Sequence, residues 1–600
     1  MMEIFLTVLW FFGFVYASSR WLKMDVAYAP IFSASLVGLL LFVFAVSNYL
    51  KQGTWFIIYS GVILSAVCSI DAWYNRKKEQ AFFPVKLFMV LLSLIVVSSL
   101  VSIGMKFTVI DDYVYWGIIG KYLYLNHHLP DSNTAIIARH LAYTPGTSIF
   151  QYLFYTLAGK YNPAISYFAQ NILLISSLFV VLKKDDLKRT LIFLCLLVIL
   201  LTLFSGSIFT KLQVDYLLSI YFFSVLWIYF REKPGLLTLL TISLPICFLF
   251  LIKEIGFALG FFLLIIIFFD LVFHKDLDRK TRVASIVFVV FIGSILFVLK
   301  QTWTDHCQAM GFLKFNTAVN METIKHSLQI FSNENIQKGF FLFIRDIFIG
   351  PADRLNIPYI FWYLAVIFFW IKIYNKAGIK NQNRYARLLK ILSVSFVIYL
   401  ILMYFLQIII FNVGVSYDHT IGLTRYLNIF FSQMVFFAVL LFVDHTFFKN
   451  TVSNKMLYSF ILFGFLVLGI SRIETTFHRD SHDKEAELIA QKIEMNMEKK
   501  KENLICVVPG TNDHHLGIKL LYHLLPDRVN HGGFPVQNKD IFLSSLQQYD
   551  YVFFNHPDPP VIEWIHPFVD KTFENQGFFR IRKEGTQTAE DKNIKLIKLF

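Results

Sequence analysis

Asp111 and Asp112 stand side by side a few residues beyond an apolar run, in the segment FTVIDDYVYWGIIGKYLYLNHHLPDSNTAIIARHLAYTPGTSIFQYLFY. A carboxylate so close to a membrane-type segment costs free energy unless it is solvated, paired or used. Adjacent carboxylates repel, which favours proton uptake by one of them, the chemistry of a general base. Behind the pair, Tyr113, Trp116, Ile119 and Leu123 recur at helical spacing and predict an amphipathic helix that lies in a membrane interface, from which Lys121 can reach an anionic headgroup. Taken alone, an Asp-Asp pair equally fits a solvated loop with an aromatic belt, in which Asp111 caps the following helix.

Further charges interrupt or border apolar runs downstream. Asp215, with Lys211 nearby, falls between two runs; Lys253-Glu254 breaks FLFLIKEIGFALGFF; Arg425-Tyr426 opens another. Each alone is a boundary charge. Lys211, Lys253 and Arg425 taken together would suit a phosphate leaving group, which needs positive charge around it. The histidines His127-His128, His306, His419 and His514-His515 lack HExxH or i, i+4 spacing, so no metal site is indicated. The five cysteines show no CxxC spacing, and at most Cys307 and Cys506 could pair.

The elements that must position these residues are mostly membrane helices. The 600 residues are 56% hydrophobic and 16% charged, with a mean hydropathy of +0.57, which excludes a string of soluble domains and any disordered or low-complexity class. A crossing needs about 20 mainly apolar residues. Fourteen runs qualify: 3–18, 29–49, 54–73, 87–104, 164–182, 190–209, 214–230, 236–252, 255–273, 283–299, 357–371, 391–412, 426–443 and 455–471. The first lacks the basic flank and cleavage site of a signal peptide and is read as a span. Gly146 to Gly159 is too short to cross and predicts a re-entrant or interfacial helix.

With that segment left uncrossed, alternate loops are basic, among them Arg76, Lys77, Lys78 and Lys86, then Lys183, Lys184, Lys188 and Arg189, then Lys275, Arg279, Lys280 and Arg282, and finally Lys449 and Lys455. The positive-inside rule makes these cytoplasmic. The N-terminus, the loops 105–163 and 300–356 and the tail from 473 then share the outer side. The loop 300–356 carries Arg345, Asp346 and Arg354 in an amphipathic setting suited to a lid. The net charge of +14 resides in the cytoplasmic loops; it is a topology signal and implies no nucleic-acid partner. The tail, residues 473–600, reads as a charged helix from Asp483 to Lys501, strands at LICVVPG, DYVFFNH and FFRIR and a helix near Leu516 to Leu525, a small extracytoplasmic α/β domain without GxGxxG or P-loop.

Asp111-Asp112, Trp116, Lys121, Leu129-Pro130 and Tyr143-Thr144-Pro145-Gly146 together resemble the first external loop of the GT-C class of polytopic glycosyltransferases, in which an acidic pair follows a span and two interfacial helices follow the pair. Asp215, the Lys253-Glu254 hairpin and Arg425-Tyr426 resemble further polar positions of that class. The resemblance covers residues 1–472, as a transmembrane GT-C-like domain, although three extra helices precede the span before the acidic pair and the tail matches no subfamily.

The resemblance implies transfer of a sugar from a polyprenyl-phosphate carrier to a glycolipid, polysaccharide or protein acceptor, with inversion. Asp111 or Asp112 would be the base, Lys211, Lys253 and Arg425 would hold the donor phosphate, and Trp116, Lys121, Tyr143, Asp215, Glu254 and Tyr426 would line the substrate site. No cofactor is required by these residues, although the resemblance allows a divalent cation, Mg or Mn, at the acidic pair. An integral plasma (inner) membrane protein of cell-envelope glycan biosynthesis is the implied setting. The alternatives are an O-antigen polymerase or ligase, which relies on arginine-rich external loops, and a lipid-linked glycan transporter or flippase, which needs mid-span charges and broken helices in repeated positions; no internal repeat is visible.

Overall fold

The computed structural model describes residues 2–74, 85–131, 141–183, 186–274, 277–312, 321–329, 332–376, 379–414, 416–446, parts of 457–473, 481–498, 503–509, 514–531, 538–569, 576–584 and 593–600. Of the residues read as cytoplasmic anchors, Arg76, Lys77, Lys78, Lys184, Lys275, Lys449 and Lys455 lie outside these, as does part of the run 455–471. The chain divides into two compact units: residues 1–105 with 142–474, and residues 106–141 with 475–600.

The first unit is helical. Its elements are α1 (Met2–Trp21), α2 (Ala29–Val46), α3 (Leu50–Tyr74), α4 (Val85–Ser102), α6 (Gly146–Ala158), α7 (Pro163–Leu178), α8 (Leu187–Ser205), α9 (Asp215–Arg231), α10 (Leu236–Ile252), α11 (Gly256–Phe273), α12 (Arg279–Ala309), α13 (Met321–Ser327), α14 (Glu334–Ile349), α15 (Tyr359–Lys376), α16 (Ile379–Phe405) and α17 (Leu423–Thr446); α5 (Ile118–Asn126) belongs to the second unit. Among the described residues, nine helices are long and apolar enough to cross a membrane, at Ala29–Val46, Leu50–Asp71, Val85–Ser102, Pro163–Val181, Leu187–Ser205, Gly256–Phe273, Arg279–Ala309, Tyr385–Ile410 and Leu423–Asp444. Each coincides with an expected run. Leu236–Ile252 and Tyr359–Asn375 are apolar but shorter. The chain is a polytopic helical membrane protein.

The core of this unit forms around α9, whose residues from Asp215 to Tyr229 are all buried. A helix apolar on every side buries every side, and α9 packs against α7, α10 and α17. Its seam with α17 is polar at intervals: Ser219 Oγ lies 2.6 Å from Ser432 Oγ, and Gln433 Nε2 donates to Ser219 Oγ at 2.7 Å. Phe222 meets Phe430 one turn further along.

One expectation about loops changes. The loop expected from residue 300 begins later, because α12 continues unbroken to Ala309, and α13 and α14 occupy part of the remainder. Within it Arg345 pairs with Asp346 at 2.7 Å, and Thr420 Oγ1 donates to Asp346 Oδ2 at 2.6 Å, so this stretch is tied to the connection before α17. The short segment α6 has its residues from Gly146 to Tyr155 buried. Its apolar positions meet protein. None of the five cysteines is in a disulfide, which removes the Cys307–Cys506 pairing.

The second unit joins the expected tail to residues 106–141. Its helices and strands are a π-helical turn at Asp112–Gly117, α5, α18 (Ser481–Asn496), β1 (Leu504–Pro509), α19 (His514–Leu524), β2 (Arg528–His531), α20 (Lys539–Leu546), β3 (Tyr551–Asn555), α21 (Pro559–Ile565), β4 (Gln576–Glu584) and β5 (Asn593–Lys598). The strand order is β2-β1-β3-β4-β5; β1 pairs parallel with β2 and β3, whereas β3–β4 and β4–β5 are antiparallel. Cys506, Val508, Val552, Phe554, Phe579 and Ile581 supply one sheet face of a core closed by Phe542, Leu546, Val561 and Ile565. Lys519 Nζ pairs with buried Asp483 at 2.9 Å, fixing α18 on α19.

Gly256 shows how tightly the α10–α11 connection turns. Its amide donates to Lys253 O at 2.8 Å, and a Cβ there would sit 1.9 Å from Leu249 O. Gly256→Ala must therefore displace backbone, at a cost of about 1–3 kcal/mol. Gly293→Ala, where the added carbon would meet Leu264 Cδ1 at 3.5 Å, is the control. Thermal unfolding in detergent should show a lower midpoint for Gly256→Ala and little change for Gly293→Ala.

Candidate functional site

Asp215 is the first residue of α9, and its carboxylate holds two cations. Lys253 Nζ donates to Oδ1 at 2.6 Å, and Arg425 Nε donates to Oδ2. Lys253 is the residue at which α10 ends and the chain turns into α11. Arg425 and Tyr426 are in the first turn of α17. The Tyr426 ring lies beside both cations, 5.0 Å from Lys253 Nζ and 6.0 Å from the Arg425 guanidinium carbon. Its backbone is fixed from α16 by Tyr399 OH, which donates to Tyr426 O at 2.8 Å.

Asp215, Lys253 and Arg425, far apart in sequence, thus converge with a carboxylate at the centre; of the three cations grouped from the sequence, Lys253 and Arg425 meet on it. The Asp215 and Lys253 side chains are 10% and 11% exposed and that of Arg425 is 34% exposed. Two cations share one carboxylate in a partly desolvated place, where charge acts more strongly than in water. Glu254, next to Lys253, is exposed.

Lys211 sits on the connection leading into α9. Gln170 on α7 grips that connection, its Nε2 donating to Lys211 O at 3.2 Å and to Tyr216 OH at 2.8 Å, while Asn171 Nδ2 donates to Phe209 O at 3.1 Å. Beside Phe209, α4, α7 and α8, with Ile461 and Gly464, line an open pocket of about 360 Å³ whose walls are almost wholly apolar, including Val97, Val101, Ile175, Leu194 and Val198. Gln170, Asn171 and Tyr399 were not singled out from the sequence, although polar residues inside apolar runs are the signal that would have found them.

In the second unit, Asp111 is half-buried and Asp112 fully buried. Asp111 has helical backbone angles and its side chain makes no cap bond, so it does not cap the helix. The DYVYWG turn that Asp112 opens is π-helical, a widened geometry frequent at functional positions. Tyr113 OH donates to Phe107 O at 3.0 Å, and both rings pack on Tyr522 of α19. Trp116 is buried and Tyr143, in the other unit, is half-buried. Among the described residues no three His, Cys, Asp or Glu side chains gather as a metal site; a divalent cation at Asp111 and Asp112 would draw its other ligands from water or a substrate phosphate.

Lys121 is engaged within the second unit. Its Nζ donates to Tyr522 O and His523 O, both at 2.8 Å, and lies 5.2 Å from the Tyr522 ring centre. These carbonyls are at the C-terminal end of α19, where carbonyls lack helical partners and the helix dipole is negative. The lysine caps that helix end. The predicted helix face of Tyr113, Trp116, Ile119 and Leu123 is buried in the protein.

No protein-family model, curated protein or solved structure matches this chain. The sites themselves therefore carry the functional reading.

Their electrostatics have measurable consequences. Asp215→Ala strands a buried lysine and should cost about 3–5 kcal/mol, whereas adding Lys253→Met to it should recover part of the loss; chemical unfolding of the four members of the cycle measures this. Burial pushes the Lys121 ammonium down to about 8 from its ordinary 10.5. The unfolded chain then binds more protons than the folded one between those values, so stability rises with pH there. Relative to Lys121→Met, the parent should gain stability from pH 8 to pH 10, read from paired melting curves.

Proposed function

We propose that the chain is a GT-C-type glycosyltransferase that moves a sugar from a polyprenyl-phosphate carrier to an acceptor hydroxyl on the extracytoplasmic face of the plasma membrane. The observation that carries the reading is the cluster of Lys253 and Arg425 on Asp215, two cations drawn with one carboxylate from three helices to one partly desolvated place. Phosphoryl oxygens are stabilised by positive charge, most of all as negative charge develops on a leaving group. The open apolar pocket beside Phe209 is suited in character to hydrocarbon. The fourteen crossings and the outward placement of 105–163, 300–356 and the tail belong to the same reading.

The chemistry divides into two tasks. Proton removal from the acceptor falls to the acidic pair. Asp111 keeps part of its surface and is the base, while buried Asp112 positions the turn that carries it. The acceptor oxygen attacks the anomeric carbon from the side opposite the phosphate, and its proton passes to the Asp111 carboxylate. The bond from the anomeric carbon to the phosphate oxygen breaks, the polyprenyl phosphate leaves with the bonding pair, and the configuration inverts. Lys253 and Arg425, with Lys211, bind the phosphate. Trp116, Tyr143, Glu254 and Tyr426 contact the remaining substrate groups.

A transporter or flippase would have discontinuous helices whose halves run end to end across the membrane. Here α10 and α11 pack on each other on either side of the Lys253-Glu254 turn, so the break is a hairpin tip.

The test is a transfer assay with reconstituted protein and a defined polyprenyl-phosphate sugar. Asp111→Asn should lose about 10²–10⁴-fold in rate. Arg425→Met should weaken donor use without altering the acceptor dependence. If Asp111→Asn and Asp112→Asn both fold and retain full transfer, the base assignment is wrong.

A further inference from the structure

We infer that the N-terminus of α6 is an oxyanion subsite for the phosphate of a lipid phosphate, with Thr144 and Thr147 supplying hydroxyl donors beside the Lys253–Arg425 cluster. The subsite rests on the glycosyltransferase reading and deepens it by naming what else holds the phosphate.

The first amides of any helix lack intrahelical acceptors, and a buried helix end must find them elsewhere. In α6 the cap position is Pro145, which offers no side-chain acceptor, and the first turn carries no acidic residue. Ile149 N is the first amide bonded to the preceding turn, to Pro145 O at 2.8 Å. Gly146, Thr147 and Ser148 are buried, so bulk water does not solve the problem. The neighbouring α7 shows the ordinary solution, with Asn162 Oδ1 accepting from Ala164 N at 2.9 Å.

The independent observation is a pair of stranded hydroxyls at the same end. Thr144 is 5% exposed and Thr147 1% exposed, and the Oγ1 atom of each has no hydrogen-bond partner among the described residues. Other buried hydroxyls in these helices are satisfied by the carbonyl four residues back, as for Ser35, Ser176 and Ser177; Ser98 and Ser285 also lack a partner among the described residues but lie inside α4 and α12, away from a helix N-terminus. Amides and hydroxyls gathered around a helix N-terminus, with its positive dipole end, form the donor set that binds phosphate.

Position connects this subsite to the cations. A Cβ on Gly146 would lie 2.5 Å from Leu251 O and 2.6 Å from Leu251 Cβ. Only glycine lets α6 end against α10 so closely, two residues before Lys253, whose Nζ reaches Asp215. The α6 N-terminus therefore packs on the last turn of α10, and the inference sets the further oxygens of a phosphate held by Lys253 and Arg425 opposite these neutral donors.

The experiment measures binding by the full-length protein in detergent, through thermal shift and titration, of geranylgeranyl phosphate, geranylgeraniol and inorganic phosphate. The parent should bind the lipid phosphate best, and the alcohol and inorganic phosphate far more weakly. Thr144→Val and Thr147→Val should each weaken lipid-phosphate binding by about tenfold or more, the size of a lost bond to a charged group, while Thr147→Ser retains it. Thr147→Asp puts a carboxylate where the phosphate oxygen would sit, so it should raise the melting temperature without ligand and abolish binding. If both valine variants bind as the parent does while Lys253→Met weakens binding, the α6 subsite is refuted and the functional reading stands. If Lys253→Met is also without effect, or inorganic phosphate binds as well as the lipid, both fail.

Discussion

One carboxylate ties three helix ends of the helical unit together. Asp215 is taken out of water at the start of α9, and Lys253 from the α10–α11 turn and Arg425 from α17 both donate to it. A buried ion group is a poor source of net stability, since desolvation consumes most of the Coulomb gain, but losing one partner is expensive. The arrangement therefore specifies position more than it stabilises. Three helix ends must meet at one place or leave a charge stranded.

The surrounding packing serves the same constraint. Small residues and short polar bonds let the helices approach: Gly146 against Leu251, Gly256 against Leu249 and Gly38 against Phe248 leave no room for a Cβ. Ser219, Ser432 and Gln433 satisfy one another along the α9–α17 seam one turn below the ions. Asn428, one turn beyond Arg425, donates to Phe204 O and Ala352 O and accepts from Tyr359 OH, which fixes the start of α17 against α15 and the end of α8. Inside a membrane such bonds are retained because water is absent to replace them.

In the second unit a lysine and three aromatic rings play the organising part. Phe107 and Tyr113 close on Tyr522, and Lys121 caps α19, so the stretch bearing the acidic pair is built into the same compact unit as the C-terminal sheet. An apolar face at helical spacing reads identically in sequence whether its partner is lipid or protein, and here the partner is protein.

The sequence by itself determined where helices long enough to cross a membrane lie, because the bilayer selects on length and composition, both local properties. It also marked Asp215, Lys253 and Arg425 as charges at the ends of apolar runs, and the strands at 504, 551 and 578, whose alternation is again local. Only the tertiary structure decided that those three charges share one carboxylate, that Lys121 is spent on a helix end, that Asp112 is buried while Asp111 keeps some surface, and that residues 106–141 join the tail. Each of these depends on a partner tens to hundreds of residues away. Periodicity and hydropathy report what a residue is and which way it faces, and carry no information about which distant residue faces it.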